Sequence, residues 1–443
     1  MRRTFSNSGA AARRHGGYPR DGPAMTAEAA FWISVALVIY AYAGYPCALL
    51  ALTLVRDRRV KKAPIAPRVS FVIAAHNEEN RIAEKIENTL QQDYPADRME
   101  IIVASDCSTD RTDEIVRSFG RRVLLLRARE RRGKEAAQQL AVHAAMGKVL
   151  VFSDCATALA PDAVSNIVQN FADPTVGCVS SVDRLVDADG RTSGEGAYVR
   201  YEMWLRELET RANTLVGLSG SFFAARHEVC RRWASDRQSD FSTLLNAVDM
   251  GLRGVLDVDS KGYYRNISDD RREFQRKVRT VVRGIAVLTR NTRMLNPFRY
   301  GLFAWQLFSH KVCRWLVPFA MIGAFVGNLL AIDESPFYGI TFVIQCAFYA
   351  TALGGFWTGA SALKIPMYLV IANLGVLTAW WRYAKGERIA SWSPSQRVTA
   401  LPQLTPMAPA LSADLTRRLS AAALSGADVV VHATAETASE YKA

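Results

Sequence analysis

Long apolar runs at both ends of the chain constrain its fold more than any other sequence feature. Residues 30–55 form a run of about 26 residues without a charged side chain, long enough to cross a bilayer as a helix. Similar runs cover residues 316–332, 337–363 and 365–381. A long stretch of mixed polar and apolar composition separates the first run from the others. We therefore predict an integral membrane protein with a soluble middle.

Basic residues next to these runs indicate which side the soluble middle faces. Five of them, at positions 56, 58, 59, 61 and 62, directly follow the first run, which by the positive-inside rule predicts a cytoplasmic flank. We expect a multi-pass protein of the inner (plasma) membrane with a cytoplasmic soluble domain. Basic residues after position 381 predict that the last flank is cytoplasmic too. With one span before the domain and three after it, however, the last flank would lie on the side of the membrane opposite the cytoplasm. Either one run is therefore re-entrant or interfacial, or residues 285–315 hold a further crossing.

The net charge of +13 fits apposition to an anionic membrane better than nucleic-acid binding. The basic residues crowd beside apolar runs, and no nucleic-acid recognition motif accompanies them. Seven cysteines form no CxxC pair, so neither a disulfide framework nor a zinc site is indicated. Nucleic acid is therefore excluded as a partner, and a reducing compartment is expected.

The composition divides the chain into seven segments, with Met25 as an alternative start to Met1. We expect a disordered basic extension (1–29), a transmembrane helix (30–55), a soluble α/β domain (66–282), interfacial amphipathic helices (283–315), about three transmembrane helices (316–381), a basic juxtamembrane segment (382–398) and a disordered tail (399–443).

Within 66–282, strand-like and helix-like segments alternate, which predicts a largely parallel sheet with helices on both faces. Three predicted strands end in polar residues: VSFVIAA before His76 and Asn77, MEIIVAS before Asp106, and VLVFS before Asp154. An isolated Asp in such a place more often caps a helix. Because parallel strands present their carboxyl ends at one edge, where ligands of such sheets bind, the three together predict a site.

The residue types at this edge suit an anionic leaving group. Carboxylates close the strands, Lys134 follows a glycine, and residues 269–284 hold five arginines and one lysine. Carboxylates bind sugar hydroxyls or a metal ion, and cations stabilise charge that develops on a departing phosphate, so a nucleotide diphosphate fits. A further carboxylate must accept a proton, and Asp240 in the segment SDF is the best placed.

Seven motifs in order resemble the membrane-bound glycosyltransferases of family 2, the group that contains cellulose, hyaluronan and poly-N-acetylglucosamine synthases. The motifs are AAHNEE, SDCSTDRT, GKEAAQQ, VLVFSDCA, GLSGSFFAAR, SDF and EFQRKVR, and the resemblance runs from about Tyr42 to Arg397. It implies a GT-A type nucleotide-sugar-binding domain joined to transmembrane helices. It also implies an inverting transferase of the hexosyltransferase class, which moves a sugar from a nucleotide sugar, a uridine one, to a lipid or glycan acceptor.

Carried over residue by residue, the resemblance assigns Asp240 as the general base and Asp154 as the ligand of the metal or diphosphate. The remaining nucleotide-binding residues that it implies are Asn77, Glu79, Asp106, Lys134, Arg276 and Arg279. The implied partners are the donor, the acceptor, the membrane, and export or assembly subunits.

Three departures from the family pattern bear on activity. Ala156 replaces the second acid of the family's DxD signature, so Mg²⁺ or Mn²⁺ is held weakly or gains a ligand from elsewhere. Ser239 stands where a second acid commonly precedes the base. The Arg-rich segment lacks the Gln and Trp of QxxRW, which puts processive polymerisation in doubt. The alternative is a catalytically degenerate transferase that acts as a scaffold subunit of a polysaccharide assembly.

Overall fold

The computed structural model describes residues 23–186, 197–265, 270–358 and 363–387. Of the extension expected to be disordered, residues 1–22 lie outside the described residues, whereas residues 23–29 belong to a helix that begins at Pro23. The tail 399–443 and most of the basic segment 382–398 also lie outside the described residues. One eight-stranded sheet forms the centre of the soluble domain, in the order β3-β2-β1-β4-β7-β6-β8-β5. The strands are β1 (Val69–Ala75), β2 (Met99–Ser105), β3 (Val123–Arg127), β4 (Val149–Asp154), β5 (Ala158–Leu159), β6 (Val176–Val186), β7 (Phe222–Arg226) and β8 (Arg253–Arg265).

Fifteen α-helices lie in the described residues. They are α1 (Pro23–Ile39), α2 (Tyr45–Val55), α3 (Ile82–Leu90), α4 (Thr112–Ser118), α5 (Lys134–Ala144), α6 (Ala163–Gln169), α7 (Ala197–Ala212), α8 (His227–Cys230), α9 (Ser239–Asp249), α10 (Asp270–Thr289), α11 (Pro297–Tyr300), α12 (Leu302–Leu307), α13 (Arg314–Leu330), α14 (Pro336–Thr358) and α15 (Lys364–Ala384). Two π-helical segments, Tyr40–Gly44 and Phe308–Cys313, join α1 to α2 and α12 to α13.

The sheet is parallel where the sequence predicts it and mixed beyond that point. Strands β1 to β4 pair in parallel, with Ala75 opposite Ser105 and Ala74 opposite Asp154. The carboxyl ends of β1, β2 and β4 therefore lie side by side, as predicted. Next to β4, strand β7 runs antiparallel to both β4 and β6, and β5 runs antiparallel to β8.

Apolar residues on both sides of the sheet explain the helices on its two faces. Successive residues of a strand point to opposite faces, so Phe71 and Ile73 of β1 pack with α3 and α6, whereas Val72 packs with α5. Phe152 on β4 stacks on Phe223 of β7, with ring centroids 4.7 Å apart. A buried two-sided sheet leaves its edge as the place where polar groups can meet a ligand.

Three helical runs among the described residues are long and apolar enough to cross a membrane: Thr26–Val55, Leu302–Leu330 and Pro336–Thr358. The first coincides with the span expected at 30–55. The second runs through the boundary expected at 315, because the π-helical segment continues α12 into α13 without a break. A cluster that includes Phe241, Ile285 and Phe303 packs these helices against the soluble domain.

Candidate active site

The turns after β1 and β2 are fixed to each other by side-chain hydrogen bonds. Asn77 adopts φ 53°, a left-handed conformation that Asn tolerates better than most residues. Its Oδ1 accepts from the backbone N–H of Thr109 at 2.8 Å, and the Glu79 carboxylate accepts from the N–H of Arg111 at 3.1 Å. Both predicted pocket residues thus lie at the sheet edge, and both hold the second turn in place.

Asp106 fixes the turn that carries Lys134. Its Oδ1 accepts from the Arg132 N–H and its Oδ2 from the Gly133 N–H, each at 2.8 Å. Only 1% of Asp106 is exposed, and His76 Nδ1 lies 2.7 Å from its carbonyl oxygen, so both residues have structural contacts. Because backbone amides hold both carboxylate oxygens, the position of the Gly-Lys turn depends on the end of β2.

Lys134 and Asp154 meet at the end of β4. The Lys134 ammonium pairs with Asp154 Oδ1 and donates to the Gly220 carbonyl oxygen at 2.9 Å. Burial alone would lower the pKa of Lys134, but the Asp154 charge outweighs it and raises that pKa, so the side chain is protonated. The Asp154 side chain remains 29% exposed. The edge therefore combines a fixed cation with an accessible carboxylate.

Asp240, in the first turn of α9, completes this arrangement. Its Oδ1 accepts from the Phe241 N–H at 2.8 Å and its Oδ2 from Gln238 Nε2 at 3.1 Å. A Cβ added to Gly220 would lie 3.0 Å from Asp240 Oδ2. Gly220 therefore contacts both Asp240 and, through its carbonyl oxygen, Lys134. Burial raises the pKa of Asp240, which is 8% exposed, although Arg283 and Lys134 partly oppose the shift. A raised pKa suits a group that must accept a proton.

Sequence reasoning missed the residues that hold the Gly220 loop. Asp183 on β6 accepts hydrogen bonds from Ser221 Oγ and, at 2.6 Å, from Ser219 Oγ. Burial raises the pKa of Asp183, and the charge of Asp154 adds to the effect, so the two carboxylates lie near each other. The signal in the sequence is the pair of serines around Gly220, but their partner becomes evident only when β6 and β7 are seen to be neighbours.

Helix α10 presents an arginine stripe. Arg272, Arg276, Arg279 and Arg283 recur at intervals of four, three and four residues and share one face. Arg276 makes a bidentate pair with Glu273, with both distances 2.7 Å. Within the described part of the chain, no carboxylate pairs with Arg279. Arg283, which the sequence did not single out, pairs with the buried Glu135 beside Lys134 and joins the stripe to the site.

Few ligands for a divalent metal are present. The described residues contain no group of three His, Cys, Asp or Glu side chains that could hold an ion. Asp154 offers one accessible carboxylate, which suits a metal that takes its other ligands from substrate phosphates and water. The residues present thus fit an ion that arrives with a diphosphate, in competition with Lys134 for Asp154.

The fold defines the class: a GT-A type domain joined to apolar helices long enough to span a membrane. Residues 70–233 match the family model described as glycosyl transferase family 2. A solved mannosyltransferase from Pyrobaculum calidifontis, in complex with GDP-mannose and Mn²⁺, shares the fold. Its TM-score is 0.63 at 23% identity, and the alignment covers 81% of this chain and 99% of that one.

Curated relatives are glycosyltransferases and a polysaccharide biosynthesis protein. The β-monoglucosyldiacylglycerol synthase of a Nostoc species is 26% identical over 201 residues, which are 43% of this chain and 42% of that protein. The succinoglycan biosynthesis protein ExoO of Rhizobium meliloti is 33% identical over 129 residues, 28% of this chain and 36% of that protein. The chain thus spans about two fifths of the length of the curated relatives it matches.

Proposed function

We propose that this protein is an inverting glycosyltransferase that takes a sugar from a uridine nucleotide sugar and transfers it to a lipid or glycan acceptor at the membrane. The observation that carries the proposal is the convergence of Lys134, Asp154, Gly220 and Asp240 at the end of β4. One cation, one accessible carboxylate and one buried carboxylate then lie around a single loop. These are the groups that sugar transfer from a diphosphate requires.

On the donor side, the nucleotide would lie across the ends of β1, β2 and β4. Its proposed ligands are those implied by the family resemblance: Asn77, Glu79, Asp106, Lys134, Asp154, Arg276 and Arg279. Asp154 would hold Mg²⁺ or Mn²⁺ together with the diphosphate, and the bound ion would supply positive charge next to the leaving group. The contacts of Asp106 with backbone amides favour an indirect role, in which it positions Lys134.

On the acceptor side, Asp240 would remove the proton from the attacking hydroxyl group. The hydroxyl oxygen then bonds to the anomeric carbon as the bond to the diphosphate breaks, so the configuration at that carbon inverts. Lys134 and the arginine stripe stabilise the negative charge that passes to the diphosphate. A buried Asp240 with a raised pKa holds the abstracted proton more readily than a solvated aspartate.

We further propose that the domain faces the cytoplasm of a bacterial-type inner membrane and that the chain crosses it several times. The three apolar helical runs and the basic residues that follow Val55 support this orientation. A compartment-sensitive reporter fused to the C-terminus, compared with one inserted after residue 62, would test it. Reporters that place the soluble domain outside the cytoplasm would refute the orientation.

The activity is tested with the full chain in lipid nanodiscs. Nucleotide release from a panel of UDP- and GDP-sugars is measured with Mg²⁺, with Mn²⁺ and with EDTA, and NMR reports the anomeric configuration of the product. We expect Asp240→Asn to lower kcat by about 10²–10⁴-fold. The matched control is Asp236→Asn, an exposed aspartate on the same segment that pairs with Arg290. Its kcat should stay within about twofold of the wild type.

Two results would contradict the proposal. Undiminished turnover in Asp240→Asn would remove Asp240 as the base. No turnover with any donor, together with no nucleotide binding, would favour the scaffold alternative, which the alanine at position 156 supports. A pH profile adds a further test: because burial raises the pKa of Asp240, kcat/KM should fall with decreasing pH at a higher pH than an ordinary aspartate gives.

A further inference from the structure

Helix α7 meets the helical run Leu302–Leu330 through charged side chains. Glu202, Arg206 and Glu209 recur at intervals of four and three residues on one face of α7. Glu209 accepts from the Tyr45 hydroxyl at 2.7 Å and lies 2.5 Å from His310 Nδ1, while Glu202 pairs with Arg314. Burial would raise the pKa of Glu202, but His310 and Arg314 outweigh it and lower that pKa. Glu202 is therefore an ionised partner of Arg314, and Glu209 is a hydrogen-bond partner of Tyr45 and His310.

The two π-helical segments lie at this same junction. Tyr40 begins the first, and its hydroxyl is 2.7 Å from Ser309 Oγ in the second. Trp305 donates to the Tyr40 hydroxyl at 2.9 Å. Insertions of a π turn into α-helices frequently mark functional positions, and Tyr and Trp concentrate at the headgroup level of membranes. The junction thus has the composition of a membrane–water interface.

Lys311 is the cation at this junction that lacks a partner. Arg206 donates to Ser180 Oγ at 2.7 Å and to the Gly217 carbonyl oxygen at 3.0 Å, and Arg314 has Glu202. No hydrogen bond or ion pair reaches Lys311 Nζ from any residue that the structure describes. An ionisable group in an apolar helix is costly, so an unpaired one indicates a site for an anion.

The Lys311 ammonium points toward the active-site loop. Its Nζ lies 5.6 Å from the centroid of the Phe241 ring and 3.4 Å from where a Cβ on Gly217 would be. Phe241 directly follows Asp240, and Gly217 lies three residues before Gly220. A contact with an aromatic ring is weaker than a charge-assisted hydrogen bond to an anion. The ammonium thus lies against the residue that follows the base, and within the described residues none of its three donors makes a hydrogen bond.

We propose that Lys311 binds the phosphate of a lipid-anchored acceptor whose hydroxyl group is presented to Asp240. The inference rests on the proposed function and names its acceptor class. A phosphate supplies the oxygens that the three ammonium donors need. A lipid source follows from the position of Lys311 in a helical run apolar enough to cross the membrane, two residues after Ser309, which contacts Tyr40.

The test is a binding measurement on the full chain in detergent, which needs no turnover. Decyl phosphate, decanol and inorganic phosphate are titrated by calorimetry into the wild type, Lys311→Met, Lys311→Arg and Lys385→Met. The last variant is the control, a lysine at the end of α15 whose ammonium stacks on Trp381 at 3.7 Å. We expect wild type and Lys385→Met to bind decyl phosphate about 10- to 100-fold more tightly than decanol, and Lys311→Met to lose that difference.

Each of the other outcomes refutes one part of the proposal. Equal binding of decyl phosphate and decanol by the wild type, or undiminished binding by Lys311→Met, refutes the phosphate site. Inorganic phosphate bound as tightly as decyl phosphate refutes the lipid source. UDP binding confirms that a variant is folded. If Lys311→Met does not bind UDP, the proposal is decided by two other results: the comparison of the two ligands in the wild type, and the affinity of Lys311→Arg for decyl phosphate. We expect Lys311→Arg to keep most of that affinity. Lys311-dependent binding without sugar transfer would instead refute only the proposed function.

Discussion

The proposed donor side and the proposed acceptor side of this site are held by different kinds of contact. On the donor side, Asp106 and Glu79 bind backbone amides that are 26 to 32 residues away in the sequence. On the acceptor side, Glu209 and Glu202 bind the side chains of His310 and Arg314, more than 100 residues away. Backbone amides are present whatever the sequence, whereas side-chain partners can be exchanged. The geometry of the proposed donor side therefore depends on the backbone fold, whereas that of the proposed acceptor side depends on side chains that can be replaced.

Asp154→Asn should break the donor side with the largest effect. The amide can neither neutralise Lys134 nor hold a divalent ion with the diphosphate, so we expect kcat/KM for the donor to fall by about 10²–10³-fold. Steady-state kinetics with a labelled nucleotide sugar would measure it. The control is Asp162→Asn, an exposed aspartate just before α6, which should change kcat/KM by less than about twofold. Unchanged kinetics in Asp154→Asn would mean that this carboxylate does not contact the donor.

The Glu135–Arg283 pair connects the two sides and should be the next most sensitive. The pair is buried, so Glu135→Gln and Arg283→Met should each destabilise the domain by about 3–5 kcal/mol, and the double variant by less than their sum. Denaturant unfolding followed by fluorescence gives the coupling energy, expected near 2 kcal/mol. The exposed pair Asp57–Arg211 is the matched control and should give a much smaller coupling energy, because solvent screens the two charges. Additive effects at Glu135 and Arg283 would contradict the connection.

Gly220→Ala tests the junction of the two sides. The new methyl group would lie 3.0 Å from Asp240 Oδ2, closer than ordinary van der Waals contact, so the base must shift. We expect kcat to fall about tenfold because small displacements of a base are costly, while the donor KM stays the same. Gly339→Ala, where nothing lies within 4 Å of the added atom, is the control. A loss that appears in KM and not in kcat would assign Gly220 to donor binding instead.

The parallel half of the fold could be predicted from the sequence, and so could the position of its polar residues. The segments VSFVIAA and MEIIVAS coincide with β1 and β2 because each is a short apolar run that ends at polar turn residues. The register of β1 against β2 and β4 then confirms that Asn77, Asp106 and Asp154 share one edge. These features depend on local pattern and on the rules for parallel strands.

The rest depends on pairings that a local pattern does not contain. Strand β7 inserts antiparallel between β4 and β6, and this insertion brings Gly220 to Lys134 and Ser219 to Asp183. By sequence alone, Glu202, Glu207 and Glu209 of α7 fit a solvated face or the lining of an acceptor groove equally well. Glu202 and Glu209 are instead paired with a membrane helix, while Glu207 is exposed. The spacing along α7 could not indicate which helix would cover that face.

The smallest predicted effect concerns a buried acid on the donor side, Glu78. Burial raises its pKa from 4.5 to about 7, against the opposing charge of Arg81. The folded state therefore holds a proton that the unfolded state releases. The contribution of this proton to the free energy of unfolding is fully present below about pH 4.5 and is lost as the pH rises through about 7.

Glu78→Gln, which cannot ionise, should flatten the pH dependence of the unfolding midpoint between these values. Because Arg81 loses its partner, the gain at pH 8 should be only about 1 kcal/mol. Denaturant unfolding at pH 5, 6, 7 and 8 measures it. A wild-type protein whose stability rises steadily over this range would show that Glu78 is ionised in the folded state, and that the donor side tolerates a buried charge as the acceptor side does.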